Sequence, residues 1–173
     1  KEARRMDKFS QYAMVVTEEA INDAGLIEGS FNPDRVGVIW GSGIGGLETF
    51  QDEAQVLLKA REDNTGPKFN PFFIPKMIAD IAPGNISIKY GFRGPNYTTV
   101  SACASSSHAL IDAFTYLRLG KADVIVTGGS EAAVNETGIG GFNACHALST
   151  NNEKAGSASR PFDATRDGFV LGE

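Results

Sequence analysis

Residues 36–46 read VGVIWGSGIGG, an apolar run that leads into a loop rich in glycine. A short continuous apolar run bounded by turn residues is typical of a strand that is buried on both faces. After the loop, apolar residues recur with helical spacing at Leu47, Phe50, Ala54, Leu57 and Leu58. The stretch therefore predicts a strand, a glycine loop and a helix, which is the unit from which parallel α/β sheets are built.

The same alternation continues on both sides of this unit. Before it, apolar residues at three- and four-residue steps predict an amphipathic helix near 6–24 with a core face, and Gly25 is expected to end it; these residues are Met6, Phe9, Ala13, Val16, Ala20 and Ala24. After it, the pattern predicts a polar loop at 61–73, a helix at about 74–89, a short strand before Cys103, a helix to about 119 that Gly120 ends, and a buried strand at 123–129. Residues 135–168 are rich in Gly, Asn, Ser and Asp, and we expect them to be irregular. The predicted fold class is α/β, with a mostly parallel sheet covered by helices.

The glycine loop matches the spacing G-x-G-x-x-G at Gly41, Gly43 and Gly46. After a strand and before a helix, this spacing is found in dinucleotide sites, where backbone amides hold the phosphates. Glycines also occur where two backbone segments pack too closely for any side chain. The spacing alone allows both interpretations.

Cys103 lies in the stretch YTTVSACASSS, residues 97–107. A short β-branched run comes before it, and the thiol is predicted to lie in the first turn of the helix that follows. Backbone N–H groups without partners and the helix dipole favour the thiolate there, and a thiolate can attack an acyl group. The neighbouring residues are small, so a substrate could approach the sulfur. A free cysteine is also among the most buried residue types, so the pattern alone does not separate a nucleophile from a core residue.

Only two histidines could assist this thiol. His108 is five residues beyond Cys103 on the same predicted helix and should point away from the sulfur, which favours a packing or hydrogen-bonding role. His146 follows Cys145 in the irregular region, and one adjacent pair without further ligands is poor spacing for zinc. The group that assists Cys103 is therefore expected to be distant in the sequence or outside this chain.

Lys1, Arg4, Arg5 and Lys8 share helical spacing near the start of the chain. Such a basic stripe is either a solvated helix face or a docking site for an acidic partner. The overall balance is acidic, with 16 basic and 21 acidic residues and a net charge of −5, which argues against a general nucleic-acid binder.

Composition is that of an ordinary globular protein, with 42% hydrophobic and 21% charged residues. No apolar run approaches the ~20 residues of a membrane span, and the first residues do not resemble a secretory signal. Two cysteines give no disulfide framework, so the reducing cytoplasm is the expected location. The chain has no starting methionine and stops while a strand is being entered, so we expect it to be a fragment.

Taken together, these motifs resemble those of the β-ketoacyl-acyl-carrier-protein synthases, condensing enzymes of the thiolase fold, and most closely the type II enzymes of fatty-acid synthesis. The matching segments are residues 4–7, 41–46, 70–75, 90–95, 102–105, 123–131, 140–142, 147–150, 159–163 and 166–173. The resemblance covers the whole chain but rather less than half of such an enzyme. It implies a layered αβαβα fold, of which residues 1–173 are an incomplete amino-terminal half.

The resemblance also implies roles for individual residues. Cys103 would be the nucleophile that accepts the acyl chain, with its own N–H as one oxyanion donor. Ile44 and Phe142 would line the acyl pocket, and Phe73 would lie at a dimer interface and reach toward the partner's pocket. Basic side chains would meet the acidic carrier protein at Lys1, Arg4, Arg5 and Lys68. His146 replaces an arginine that is common in the family.

The implied reaction is a decarboxylating condensation with malonyl carrier protein, without metal or cofactor, in a homodimer that binds acyl carrier protein. Two catalytic histidines and a lysine would lie beyond residue 173, so this chain alone is expected to be inactive. The alternatives are a polyketide ketosynthase, a non-catalytic subunit similar to a chain-length factor and, from the hydrolase class, a cysteine acyl-hydrolase.

Overall fold

The structure is a computed structural model that describes residues 2–26 and 29–172. The chain forms two compact units, Lys1–Glu131 and Ala132–Glu173. The first unit contains a sheet of three strands, β1 (Val36–Gly41), β2 (Asn96–Thr99) and β3 (Val124–Gly129). The strand order is β2-β1-β3 and both pairs are parallel, which confirms the predicted parallel sheet.

Among the described residues of the first unit, five α-helices alternate with these strands. They are α1 (Lys8–Asp23), α2 (Leu47–Glu62), α3 (Phe73–Met77), α4 (Ile81–Tyr90) and α5 (Ser105–Arg118). Gly25 and Gly120 follow α1 and α5 with φ angles of +62° and +66°, in the left-handed region that glycine adopts without strain. Both predicted helix ends are thus confirmed.

Helices cover both faces of the sheet. On one face Ile39 of β1 is completely buried and packs with Ala109 and Ala113 of α5. On the other face Thr98 of β2 donates a hydrogen bond to the carbonyl of Ala79, and Asn96 donates to the carbonyl of Pro83 in α4. Burial on both sides explains why β1 reads as an uninterrupted apolar run.

An exposed ion pair joins the beginnings of β1 and β3. Arg35 donates to both carboxylate oxygens of Asp123, at 3.1 and 2.6 Å. The hydrogen bonds from Arg35 hold the pKa of Asp123 below its usual value. This ion pair helps to fix the register of β1 and β3. The register in turn determines which residues lie side by side at the carboxyl ends of the two strands.

The helix predicted at about 74–89 is wrong in one respect, because it is two helices. Helix α3 ends at Met77, and α4 begins at Ile81. Pro83 lies in the first turn of α4, where its missing N–H needs no partner. In one continuous helix Pro83 would lie in the interior and clash with the carbonyl of Ala79, so the chain breaks between the two segments.

The beginning of α1 differs from the prediction. Asp7 is extended and accepts a hydrogen bond from the N–H of Phe9, so the helix begins at Lys8. Arg4 and Arg5 lie in a separate 3₁₀ turn, Ala3–Arg5, and do not form one helical stripe with Lys8. Asp7 is buried and also accepts from the N–H and the hydroxyl of Thr49, at 3.0 and 2.6 Å, which ties this turn to α2.

The core face predicted for α1 is only partly correct. Phe9 and Ala13 are completely buried, but Val16 is 45% exposed and Ala20 is exposed. Thr17, four residues after Ala13, lies on the buried face instead. The buried residues Phe9, Ala13 and Thr17 therefore follow the helical spacing i, i+4, i+8, even though Val16 is more hydrophobic than Thr17.

The second unit contains a helix, α6 (Glu136–Ala144), where the sequence predicted irregular structure. Asn135 caps it by accepting a hydrogen bond from the N–H of Gly138 at 2.8 Å. Glycines lower helix propensity, and here the cap compensates for part of that cost. Later in this unit Asp167 accepts from the Ser149 hydroxyl and the Thr150 N–H, and these hydrogen bonds lower its pKa.

Within residues 2–26 and 29–172, no helix has both the length and the apolar character that crossing a bilayer requires. The same residues contain no cluster of three or more His, Cys, Asp or Glu side chains that could hold a metal ion.

Candidate active site

The carboxyl ends of the three parallel strands bring two loops of the first unit together. Ser42, just after β1, donates its N–H to the carbonyl of Thr99 at the end of β2. Ser130, just after β3, donates its N–H to the carbonyl of Gly41. The glycine loop after β1 and the cysteine segment after β2 therefore start from the same edge of the sheet, where ligands bind in open α/β sheets.

Cys103 is exposed and lies in a 3₁₀ turn, Ala102–Ala104, that continues directly into α5. The thiol thus lies just before α5, next to the predicted position in the first turn of that helix. Ala102 has a φ angle of +50°, in the left-handed region that costs an L residue with a side chain about 1–2 kcal/mol. Backbone strain of this kind is also found at the turns between a strand and a helix that carry the nucleophile in some enzymes.

The hydroxyl of buried Ser105 holds this turn from within. It accepts the N–H of Ser101 at 2.9 Å and donates to the carbonyl of Ala102 at 2.7 Å. The hydroxyl of Thr99 donates in turn to the carbonyl of Ser105 at 2.8 Å. These bonds join the end of β2, the strained turn and the first residue of α5, so the position of Cys103 is fixed by its own segment.

His108 has the hydrogen-bonding role that the sequence favoured. Its Nδ1 lies 2.6 Å from the hydroxyl of Ser101, at the turn before Cys103. His108 supports the segment that carries the thiol. Cys145 and His146, in the second unit, follow the last turn of α6, and His146 has a φ angle of +54°.

Close backbone packing explains the glycine loop. A Cβ on Gly41 would lie 2.5 Å from the backbone of Ser105 and Ser106, at the start of α5. A Cβ on Gly46 would lie 2.6 Å from the carbonyl of Lys76 in α3. The packing interpretation is confirmed, and the loop lies between α5 and α3.

The carboxylate of Glu131 accepts hydrogen bonds from the loop amides that a bound phosphate would need. Its Oε2 accepts the N–H of Ile44 at 2.7 Å, and its Oε1 accepts the N–H of Gly45 at 3.1 Å. A Cβ on Gly43 would lie 3.0 Å from Glu131 Oε2 and 3.7 Å from the carbonyl of Ala102. The loop is therefore held between this carboxylate and the turn that presents Cys103.

Of the residues assigned to the acyl pocket and dimer interface, Ile44 lies on the glycine loop and Phe73 on α3, which packs against that loop. Ile44 is at the tip of the glycine loop and its side chain is 46% exposed. Phe73 begins α3, whose last carbonyl, that of Met77, accepts the N–H of Gly46. The glycine loop thus borders the Cys103 turn on one side and α3 on the other.

Phe142 belongs to the second unit, where it is part of α6. Its ring meets the ring of Phe169 edge-on, with centroids 5.3 Å apart. Its assignment to the acyl pocket stays a prediction.

The basic residues assigned to a carrier protein lie around the segment before α3. Arg4 and Arg5 are exposed, and the guanidinium of Arg5 lies over the ring of Phe72, 5.1 Å from its centroid. Lys68 is exposed and precedes Phe69, whose ring packs on that of Phe73. Lys1 lies outside the described residues.

The sequence predicts no role for three of the residues that shape this site. Glu131 could have been suspected, because an acid two residues after a predicted parallel strand lies at the same sheet edge as the glycine loop. Ser105 could have been suspected as a side chain that bonds to nearby backbone. The strain at Ala102 has no signal in the sequence.

An exposed thiol at the start of a helix, beside a loop of small residues, can attack an electrophilic carbonyl that reaches it from solvent. Backbone N–H groups at the start of a helix have no partner within the helix. Such groups can stabilise the negative oxygen that forms when a thioester is attacked.

Comparisons with known proteins agree with this chemistry. The family model described as "Beta-ketoacyl synthase, N-terminal domain" matches residues 1–173. Over its whole length the chain is 47% identical to the 3-oxoacyl-[acyl-carrier-protein] synthase 2 of Staphylococcus aureus and covers 42% of that protein. It is 45% identical to the protein of that name from Synechocystis, of which it covers 41%.

Among solved structures, a beta-ketoacyl synthase from Burkholderia phymatum is similar to 98% of this chain, with a TM-score of 0.85 and 31% sequence identity. The chain covers 41% of that structure. It therefore spans about two fifths of the length of each of these relatives.

Proposed function

Because the chain belongs to the β-ketoacyl synthase family through its N-terminal domain, we propose that it supplies the nucleophile of a β-ketoacyl-acyl-carrier-protein synthase. Family membership confirms the resemblance found in the sequence, and the Burkholderia structure confirms the expected thiolase-like α/β fold. The proposed activity is that of the full-length protein, because the relatives are more than twice as long as this chain.

In the proposed reaction the Cys103 thiolate attacks the carbonyl of an acyl thioester on acyl carrier protein. The bond between the carbonyl carbon and the carrier's sulfur breaks, the carrier leaves as a thiolate, and the acyl chain is held on Cys103. Malonyl carrier protein then loses CO₂, and the resulting carbanion attacks the Cys103 thioester. A carbon–carbon bond forms, the Cys103 thiolate is released, and the carrier protein keeps a β-ketoacyl chain.

The observation that carries this proposal is the exposed thiol on a strained turn at the start of α5, held by Ser105 and bordered by the glycine loop. A core cysteine needs none of these features. The names of the curated relatives include the acyl carrier protein, which supports the carrier as the acyl donor.

The proposal extends to partners and location. Acyl carrier protein would dock on the exposed basic residues Arg4, Arg5 and Lys68, together with Lys1. The full-length protein would act as a homodimer in the cytoplasm, with Phe73 at its interface. Ile44 and Phe142 would line the acyl pocket.

The proposal is tested by incubating the full-length protein with an acyl carrier protein thioester and malonyl carrier protein. We expect β-ketoacyl carrier protein and CO₂ in equal amounts, measured by mass spectrometry and CO₂ release. Free fatty acid formed without malonyl consumption would indicate a hydrolase instead. Turnover only after a separate active synthase is added would indicate a subunit similar to a chain-length factor. Either result would contradict the proposal.

The carrier-protein surface gives a second prediction. Replacing Arg4 and Lys68 together with alanine should raise the KM for acyl carrier protein about tenfold and leave kcat unchanged, because exposed charges guide association. The difference from wild type should disappear in high salt, which screens exposed charges.

The matched control is Arg118→Ala. Arg118 is also an exposed arginine, but it ends α5, a helix of about 20 Å, at the end away from Cys103. An equal rise in KM for Arg118→Ala, or no rise for the double variant, would rule out docking of acyl carrier protein on Arg4 and Lys68.

A further inference from the structure

Glu131 makes an interaction that the proposed reaction does not use. The two oxygens of this partly buried carboxylate accept the N–H groups of two consecutive residues, Ile44 at 2.7 Å and Gly45 at 3.1 Å. Gly45 has a φ angle of +89°. Consecutive amides around a left-handed residue form a concave anion site, and here the chain's own carboxylate fills it.

The position of Glu131 follows from the sheet. Gly129, the last residue of β3, is in register with Gly41, the last residue of β1. The Ser130 N–H donates to the Gly41 carbonyl and continues this pairing by one residue. Glu131 therefore starts from a fixed point beside the loop after β1, and a charged acceptor there bonds its amides more strongly than a neutral one would.

The loop that Glu131 holds borders the nucleophile turn. A Cβ on Gly43 would lie 3.0 Å from Glu131 Oε2 and 3.7 Å from the carbonyl of Ala102. The bonded amide of Ile44 also fixes the direction in which that residue's half-exposed side chain leaves the loop. Glu131 does not need to touch a substrate to affect where Ile44 lies relative to Cys103.

We propose that Glu131 is a positioning residue, which holds the glycine loop against the Cys103 turn and thereby sets how Ile44 meets the acyl chain. The inference rests on the proposed function for the role of Ile44, but the loop contact itself does not. Losing the carboxylate would free two amides, let the loop move away from Ala102 and change the acyl pocket near Ile44. The reactive thiol would remain, because Ser105 and not Glu131 holds its turn.

The first test measures the loop without using activity. Hydrogen exchange of the full-length protein, followed by mass spectrometry, should show the peptide spanning residues 41–47 exchanging about tenfold faster in Glu131→Ala than in wild type. Glu131→Gln keeps one acceptor oxygen and should lie between the two. Formate, which can enter the vacated anion site, should restore slow exchange in Glu131→Ala. The control Glu62→Ala, at the exposed end of α2, should exchange like wild type.

The second test measures specificity. For Glu131→Ala, kcat/KM should fall about tenfold for long acyl chains and much less for acetyl, because the role proposed for Ile44 is to line the pocket along which long chains extend. Alkylation of Cys103 by iodoacetamide should keep its wild-type rate.

Unchanged exchange in residues 41–47, or an equal fall in kcat/KM for acyl chains of all lengths, would overturn the positioning role. A wild-type protein that does not acylate Cys103 would refute the proposed function instead, while the exchange result would still decide the loop contact.

Discussion

Replacing Cys103 with alanine is expected to lower the rate of acyl transfer and of condensation about 10⁴-fold or more, because the covalent intermediate cannot form. The side chain is exposed, so its loss should change the urea midpoint of unfolding little. The measurement is the initial rate of β-ketoacyl product formation by the full-length protein, with circular dichroism to verify the fold.

The chain offers a matched control in Cys145, the other exposed free cysteine. Cys145→Ala should keep the wild-type rate, because Cys145 follows α6 in the second unit and has no role in the proposed reaction. If Cys103→Ala condenses at the wild-type rate, or if Cys145→Ala is the inactive variant, Cys103 is not the nucleophile.

Gly41→Ala is expected to have the second largest effect, on both stability and rate. The new Cβ would lie 2.5 Å from the carbonyl carbon of Ser105 and from the nitrogen of Ser106, which are backbone atoms that cannot rotate away. Helix α5 would have to shift, and overpacking of this kind costs about 3 kcal/mol in the free energy of unfolding. The shift would also move the turn of Cys103, and a displacement of about 1 Å can lower the rate about 10²-fold.

Gly84→Ala is the control for this variant. Gly84 lies within α4, and no heavy atom lies within 4 Å of its added Cβ. Alanine has a higher helix propensity than glycine, so stability should rise by up to about 1 kcal/mol. Urea unfolding and acyl-transfer rates give both comparisons. Wild-type stability and rate in Gly41→Ala would mean that α5 does not pack on β1 as described.

The elements that could be predicted from the sequence are those whose signal is local. The apolar run at 36–40 needs burial on both faces and thus indicates a central parallel strand wherever it occurs. Helix α5 combines helical periodicity with a glycine after its end. Cys103 could be placed at a helix start for the same reason, and the surrounding motifs then identified the family.

The features that could not be predicted depend on contacts between distant residues. Helix α6 has three glycines among the four residues 138–141, and this composition argues against a helix. The cap from Asn135 offsets part of that cost. The loop after β1 looks like a phosphate site because its own ligand, Glu131, is 87 residues away in the sequence. The left-handed conformation of Ala102 is held by the hydrogen bonds of Ser105 and by the packing of α5. The conformational preference of alanine gives no sign of it.

The most direct test of the Cys103 assignment is peptide mass spectrometry of the full-length protein after incubation with an acyl carrier protein thioester, without malonyl carrier protein. We predict one acyl group per chain, on the peptide that contains Cys103, released by hydroxylamine as a thioester should be. The adduct should be absent from Cys103→Ala and present in Cys145→Ala. An adduct on any other residue, or condensation that proceeds with no acyl group on Cys103, would contradict the account.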